Sequence, residues 1–112
     1  MNEIATLSEP EKDLLIRCRR AIKSIDPTAE VILYGSRARG STEQDSDYDL
    51  LVLADGDVTL EREDMICNRL YKIELETGAV ITAFVYNRHQ WNSPLYQAMP
   101  FHENVVRDGV IL

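Results

Sequence analysis

Leu14, Leu15, Cys18, Ala21, Ile22 and Ile25 recur at helical spacing and draw one apolar stripe near the start of the chain. The stripe follows Ser8-Glu9-Pro10-Glu11, which supplies a hydroxyl cap, a proline in the first turn and acids near the positive end of the helix dipole. It stops at Asp26-Pro27, because the residue before a proline avoids the helical region. The period then changes. Residues 30–34 form a short β-rich run that ends at Gly35, and residues 48–54 form a near-continuous apolar run that suits a central strand buried on both faces. Residues 59–77 return to helical spacing, with Ile66, Leu70 and Ile73 on one face and Gly78 placed as a C-terminal glycine. Residues 79–86 read as a third strand, and short helices are expected around 95–99 and 101–107 after Pro94 and Pro100. The order α-β-β-α-β-α predicts an α/β (α+β) fold, a small mixed sheet flanked by helices, with residues 1–112 as one domain.

Composition narrows what such a fold can hold. The hydrophobic fraction of 45% supplies one core without a disulfide or metal staple. Net charge is −7, from 19 acidic and 12 basic residues, which argues against direct nucleic-acid binding, since that affinity comes largely from neutralised phosphates. An acidic protein still handles a polyphosphate when divalent cations stand between its carboxylates and the phosphates. Cys18 and Cys67 belong to no C-x-x-C pair and fall at helical positions where each is expected as a small buried hydrophobe. The start of the chain shows no basic leader and apolar run, and no stretch approaches the ~20 residues that span a bilayer, so no membrane association and a reducing cytoplasm are expected.

The candidate chemistry lies between the first two strands. Gly35-Ser36-Arg37-Ala38-Arg39-Gly40-Ser41 leaves the first, and Asp45-Ser46-Asp47-Tyr48-Asp49-Leu50 enters the second. Side chains alternate along a strand, so Asp47 and Asp49 are expected on one face. Two like charges at the lip of a buried strand repel and lack solvation. A divalent cation removes the conflict, and oxygen-only ligands favour Mg²⁺, which commonly takes one or two carboxylates plus substrate phosphates. Gly35 lets backbone approach a ligand closely, and amide N–H groups with the Ser36 hydroxyl suit a phosphate. Arg37 and Arg39 add positive charge able to grip phosphate oxygens. Each feature alone is ordinary, since an Asp-x-Asp is usually a solvated turn. Their order along the chain points to a nucleoside-triphosphate site.

Gly35-Ser36, ten intervening residues and Asp47-Tyr48-Asp49-Leu50 resemble the signature of the polymerase-β-like nucleotidyltransferase superfamily. The fuller string, from Gly35 through Ser41 and ending in Ser46-Asp47-Tyr48-Asp49-Leu50-Leu51-Val52, is similar to its minimal nucleotidyltransferase (MNT) branch, and the tail from Trp91 through Gly109 also looks like small stand-alone members. The resemblance implies that Ser36 and its loop hold the triphosphate, ATP as substrate, while catalytic Asp47 and Asp49 hold Mg²⁺. It implies in-line attack on the α-phosphate with pyrophosphate leaving, two metal ions stabilising the attacking and departing oxygens. It further implies transfer of AMP to a hydroxyl of a protein or small molecule. A HEPN-type partner, a small helical ribonuclease toxin, is implied as well, with the MNT chain as antitoxin. A homodimer stays open.

The match breaks at one point. Active members carry a third carboxylate on the next strand, whereas residues 79–86 contain no acid and Thr82 is the expected occupant of that position. Glu74 and Glu76 precede the strand on the helix and could substitute only through an unusual geometry. His89 and His102 are expected as surface residues, and Trp91 and Tyr96 as core packing rather than base-stacking platforms. Two readings follow: a transferase, or a catalytically degenerate nucleotide-binding or partner-neutralising module. The intact Gly-Ser and Asp-x-Asp favour the first; the absent acid favours the second.

Overall fold

The computed structural model of the protein describes residues 2–3, 7–38 and 47–112, the side chains of Asn2, Glu3 and Ser36 excepted. In chain order the elements are β1 (Asn2–Glu3), α1 (Glu9–Ile25), β2 (Glu30–Tyr34), α2 (Gly35–Ala38), β3 (Tyr48–Ala54), α3 (Leu60–Thr77), β4 (Ile81–Asn87), α4 (Arg88–Trp91), α5 (Pro94–Gln97), α6 (Pro100–Asp108) and β5 (Val110–Ile111). The two long helices and three main strands lie where the hydrophobic periods put them.

Local chemistry accounts for the boundaries. Thr59 caps α3 by accepting from the Arg62 amide at 3.2 Å, and Gly78 ends it in the left-handed region at φ +77°. Ser8 stands at the start of α1, but its hydroxyl donates to Glu11 Oε1 at 2.7 Å instead of accepting from a helix amide. Asp26 closes α1 in extended geometry before Pro27. Its buried carboxylate accepts from the Thr28 amide and hydroxyl at 3.0 and 2.7 Å and pairs with Arg62 at 3.0 Å.

Among the described residues the strands form one sheet in the order β1-β5-β2-β3-β4. β2 runs antiparallel to β3 and β5, while β3 and β4 are parallel, joined by the crossover helix α3. β3 is buried on both faces, and its alternation splits the core in two. Leu50 and Val52 pack with Leu15, Cys18 and Ile22 of α1 and Ile66, Leu70 and Ile73 of α3. Leu51 and Leu53 pack on the other face with Ile32, Trp91 and Val105, flanked by Tyr34, Tyr86, Tyr96 and Phe101. Trp91 and Tyr96 are packing residues, as expected.

Two expectations are corrected. Cys67 is exposed while Cys18 is buried: the core-facing residue of that turn of α3 is Ile66, and one residue further along turns the side chain about 100° towards solvent. His102 is not a plain surface residue. Its ring stacks on Trp91 with centroids 4.4 Å apart, and its Nε2 is buried without a hydrogen-bond partner among the described residues. Among the described residues, no helix is long and apolar enough to cross a membrane.

Candidate functional site

The site is built where β2 ends and β3 begins, one strand from the sheet edge. Backbone pairing sets Tyr34, the last residue of β2, opposite Asp49, and sets Asp49 beside Thr82 of β4. Neighbours in register share a face, so Tyr34, Asp49 and Thr82 lie side by side on the face that carries Leu51 and Leu53. Thr82 thus occupies the position next to Asp49 that the sequence assigned to it, with a neutral hydroxyl where an acid would stand.

Gly35 follows at once and turns the backbone at φ +79°. A Cβ built there would collide with Asp49 Oδ2 and would stand 3.4 Å from the carboxylate carbon. Glycine is required twice over: for the positive φ, and because the Asp49 carboxylate lies against the space a side chain would fill. Two residues fourteen positions apart in sequence are therefore in contact. Gly35 also opens the helical turn α2.

The Asp49 charge is felt by its neighbour. Burial, then the Asp49 carboxylate and the nearby Tyr86, together push the Tyr34 phenol up to about 12. Asp49 is itself half-buried, whereas Asp47, just ahead of the first β3 residue, is exposed. The Tyr48 amide between them donates to the Val80 carbonyl at 2.9 Å, anchoring the entry to the strand.

The remaining sequence candidates are distributed differently. Arg37 is seated over the Tyr48 ring, its Cζ 4.4 Å from the centroid, with Nη1 3.9 Å from Glu11 Oε2. Tyr48 packs in the α1–α3 core, so these contacts lie on the sheet face opposite Asp49. The Ser36 side chain and Arg39 lie outside the described residues, as do Gly40, Ser41, Asp45 and Ser46. Glu74 accepts from the Ile81 amide at 3.2 Å and Glu76 pairs with Arg17, so both are engaged on the α1–α3 side.

Two clefts flank this edge. One of about 470 Å³ lies on the α1–α3 side, lined by Asp13, Leu14, Arg17, Arg37, Tyr48 and Ala79 among others. The other, about 210 Å³, lies on the Asp49 side, lined by Tyr34, Gly35, Phe101, Asn104 and Val105. Sequence reading missed the second because Phe101 and Asn104 arrive from the far end of the chain, with no motif to mark them.

Among the described residues no group of three or more His, Cys, Asp and Glu side chains converges. The donors at this edge are the oxygens of Asp47 and Asp49 and the Thr82 hydroxyl. That set fits a hard cation that keeps water and substrate phosphates as its other ligands, as Mg²⁺ does.

A small mixed sheet flanked by helices is consistent with the fold of a nucleotidyltransferase. Residues 15–99 match the nucleotidyltransferase domain family, and the chain belongs to that family. It is also 33% identical over 112 residues to a Methanocaldococcus jannaschii protein named "Putative protein adenylyltransferase MJ0604", the match covering 100% of this chain and 99% of that one.

Proposed function

We propose that the chain binds Mg²⁺-ATP at the Gly35–Asp49 edge and transfers its adenylyl group to a hydroxyl of a protein. The observation that carries this reading is the seating of the Asp49 carboxylate against the Gly35 turn, beside Thr82. The name of the methanocaldococcal relative, alike over its whole length, supports a protein as acceptor. The resemblance to MNT chains makes a HEPN-type protein the first acceptor to try.

In this reading the Gly35-Ser36 turn holds the phosphates, Arg37 and Arg39 add positive charge, and Asp47 and Asp49 hold the cation. When bound, Mg²⁺ supplies charge stabilisation at the phosphates and the departing pyrophosphate. The acceptor oxygen forms its bond to the α-phosphorus, the bond from that phosphorus to the β-phosphate oxygen breaks, and pyrophosphate leaves. With a hydroxyl at position 82, β4 offers no carboxylate beside Asp49 to take the acceptor proton, which passes to solvent.

The same Thr82 favours a second reading, nucleotide binding without transfer. Incubation with α-labelled ATP and Mg²⁺, alone and with the protein encoded beside it, separates the two. Label on a protein, lost in Asp47→Asn and Asp49→Asn, supports transfer. Mg²⁺-linked ATP binding without label supports the second reading. Calorimetry that detects no magnesium-dependent ATP binding sinks both.

A further inference from the structure

We infer that the smaller cleft, between the β2–α2 junction and α6, is the nucleobase subsite, with Phe101 as its stacking wall and Asn104 reading the base edge. The inference rests on the nucleotide-binding reading above and adds to it residues that no motif marks.

Position comes first. The cleft shares Gly35 with the proposed phosphate turn, and its wall Tyr34 is the cross-strand neighbour of Asp49. A nucleotide whose phosphates meet the Gly35 turn therefore reaches this cleft without leaving the face. The larger cleft lies across the sheet, beside Tyr48, and its arginines are engaged: Arg17 with Glu76, and Arg37 with Glu11 and the Tyr48 ring.

Size comes second. About 210 Å³ is below the ~300 Å³ at which whole small-molecule sites begin. The cleft takes one part of a nucleotide and leaves the rest outside, which suits a base with its ribose and phosphates directed to Gly35.

The lining completes the case. Phe101 is held edge-to-face against Tyr34 at 5.2 Å and against Trp91 at 5.7 Å, so its ring is fixed before any ligand arrives. Buried Val105 gives an apolar floor. Asn104 is exposed at the rim, its Oδ1 accepting from Arg107 Nη2 at 3.1 Å. That bond orients the amide, and its Nδ2 hydrogens meet no acceptor among the described residues. They suit a ring nitrogen or carbonyl on a base edge. Aromatic ring, apolar floor and a directed donor form the chemistry that recognises a heteroaromatic base.

The test compares binding of Mg²⁺-ATP, Mg²⁺-GTP, Mg²⁺-CTP and Mg²⁺-tripolyphosphate by calorimetry. The proteins are wild type, Phe101→Leu, which keeps apolar volume but removes the aromatic face, and Asn104→Asp, which replaces the donor by an acceptor. Phe101→Leu should weaken ATP about tenfold or more and leave tripolyphosphate within about twofold. Asn104→Asp should reorder the three bases. The inference is overturned if wild type binds tripolyphosphate as tightly as ATP, or if Phe101→Leu weakens both equally. It also fails if Asn104→Asp leaves the base ranking unchanged, or if Arg17→Ala in the larger cleft weakens ATP but not tripolyphosphate. Binding of neither ligand by wild type would instead fail the parent reading, and this inference with it.

Discussion

Gly35 and Gly78 adopt the same backbone conformation, φ +79° and +77°, in different surroundings. In that region a side chain costs about 1–2 kcal/mol. At Gly78 a Cβ meets nothing within 4 Å, so Gly78→Ala reports the backbone cost alone. At Gly35 the Cβ meets the Asp49 carboxylate, with its carbon at 3.4 Å and its own Cβ at 3.5 Å. Overpacking of that kind adds about 1–3 kcal/mol, even though the aspartate can rotate part of the way aside. Urea unfolding of both variants, in the wild-type and Asp49→Ala backgrounds, isolates the contact. Gly35→Ala should exceed Gly78→Ala by about 1–3 kcal/mol, and the excess should fall below about 0.5 kcal/mol once Asp49 is alanine. Equal costs, or an excess that survives Asp49→Ala, would refute the close approach on which the site depends. The same variant should lose magnesium-linked ATP binding while still folding, because the displaced group is the proposed metal ligand.

Three further outcomes are expected. Thr82→Asp restores a carboxylate beside Asp49, and should raise adenylyl transfer about tenfold or more if proton removal or metal binding limits the rate; labelled-ATP turnover decides it. Asp26 sits below the usual carboxylate range: burial alone would raise it, but the Thr28 hydroxyl and amide, then Arg62 and Arg88, outweigh that. Its folded value is depressed, so its stabilisation is present above about pH 4 and drains as pH falls through the folded value. Asp26→Asn should therefore cost about 1–2 kcal/mol near neutrality and nothing at strongly acidic pH, read from urea midpoints across pH. In the native protein a thiol reagent should modify exposed Cys67 well before Cys18, whose thiol is pushed up to about 11 by burial. Peptide mapping that finds Cys18 modified first would contradict the packing of α1.

Much of the fold was legible because its cues are local. The stripes of α1 and α3, the Thr59 and Gly78 caps and the doubly buried run of β3 all declare themselves within a few residues. What escaped was short or non-local. β1 and β5 are two residues each, too short to show a period, and exist because Val110 and Ile111 find Leu33 and Ile32 across the sheet. Cys67 borders the apolar stripe of α3, but the face that α3 turns to the core is narrower than that stripe and takes Ile66 instead. No spacing shows that Arg37 lies over the Tyr48 ring with Glu11 3.9 Å away, because both partners come from other segments of the chain.

The chain on its own determined which segments become helix or strand, that a glycine turn precedes an Asp-x-Asp strand, and that the strand after it brings no acid. These are properties of neighbouring residues, fixed by period, caps and residue type. Only the tertiary structure decided that Asp49 touches Gly35 and that α6 carries Phe101 and Asn104 to the same edge. Those relations depend on strand order and register, set by hydrogen bonds and packing between segments tens of residues apart, and no local period encodes them.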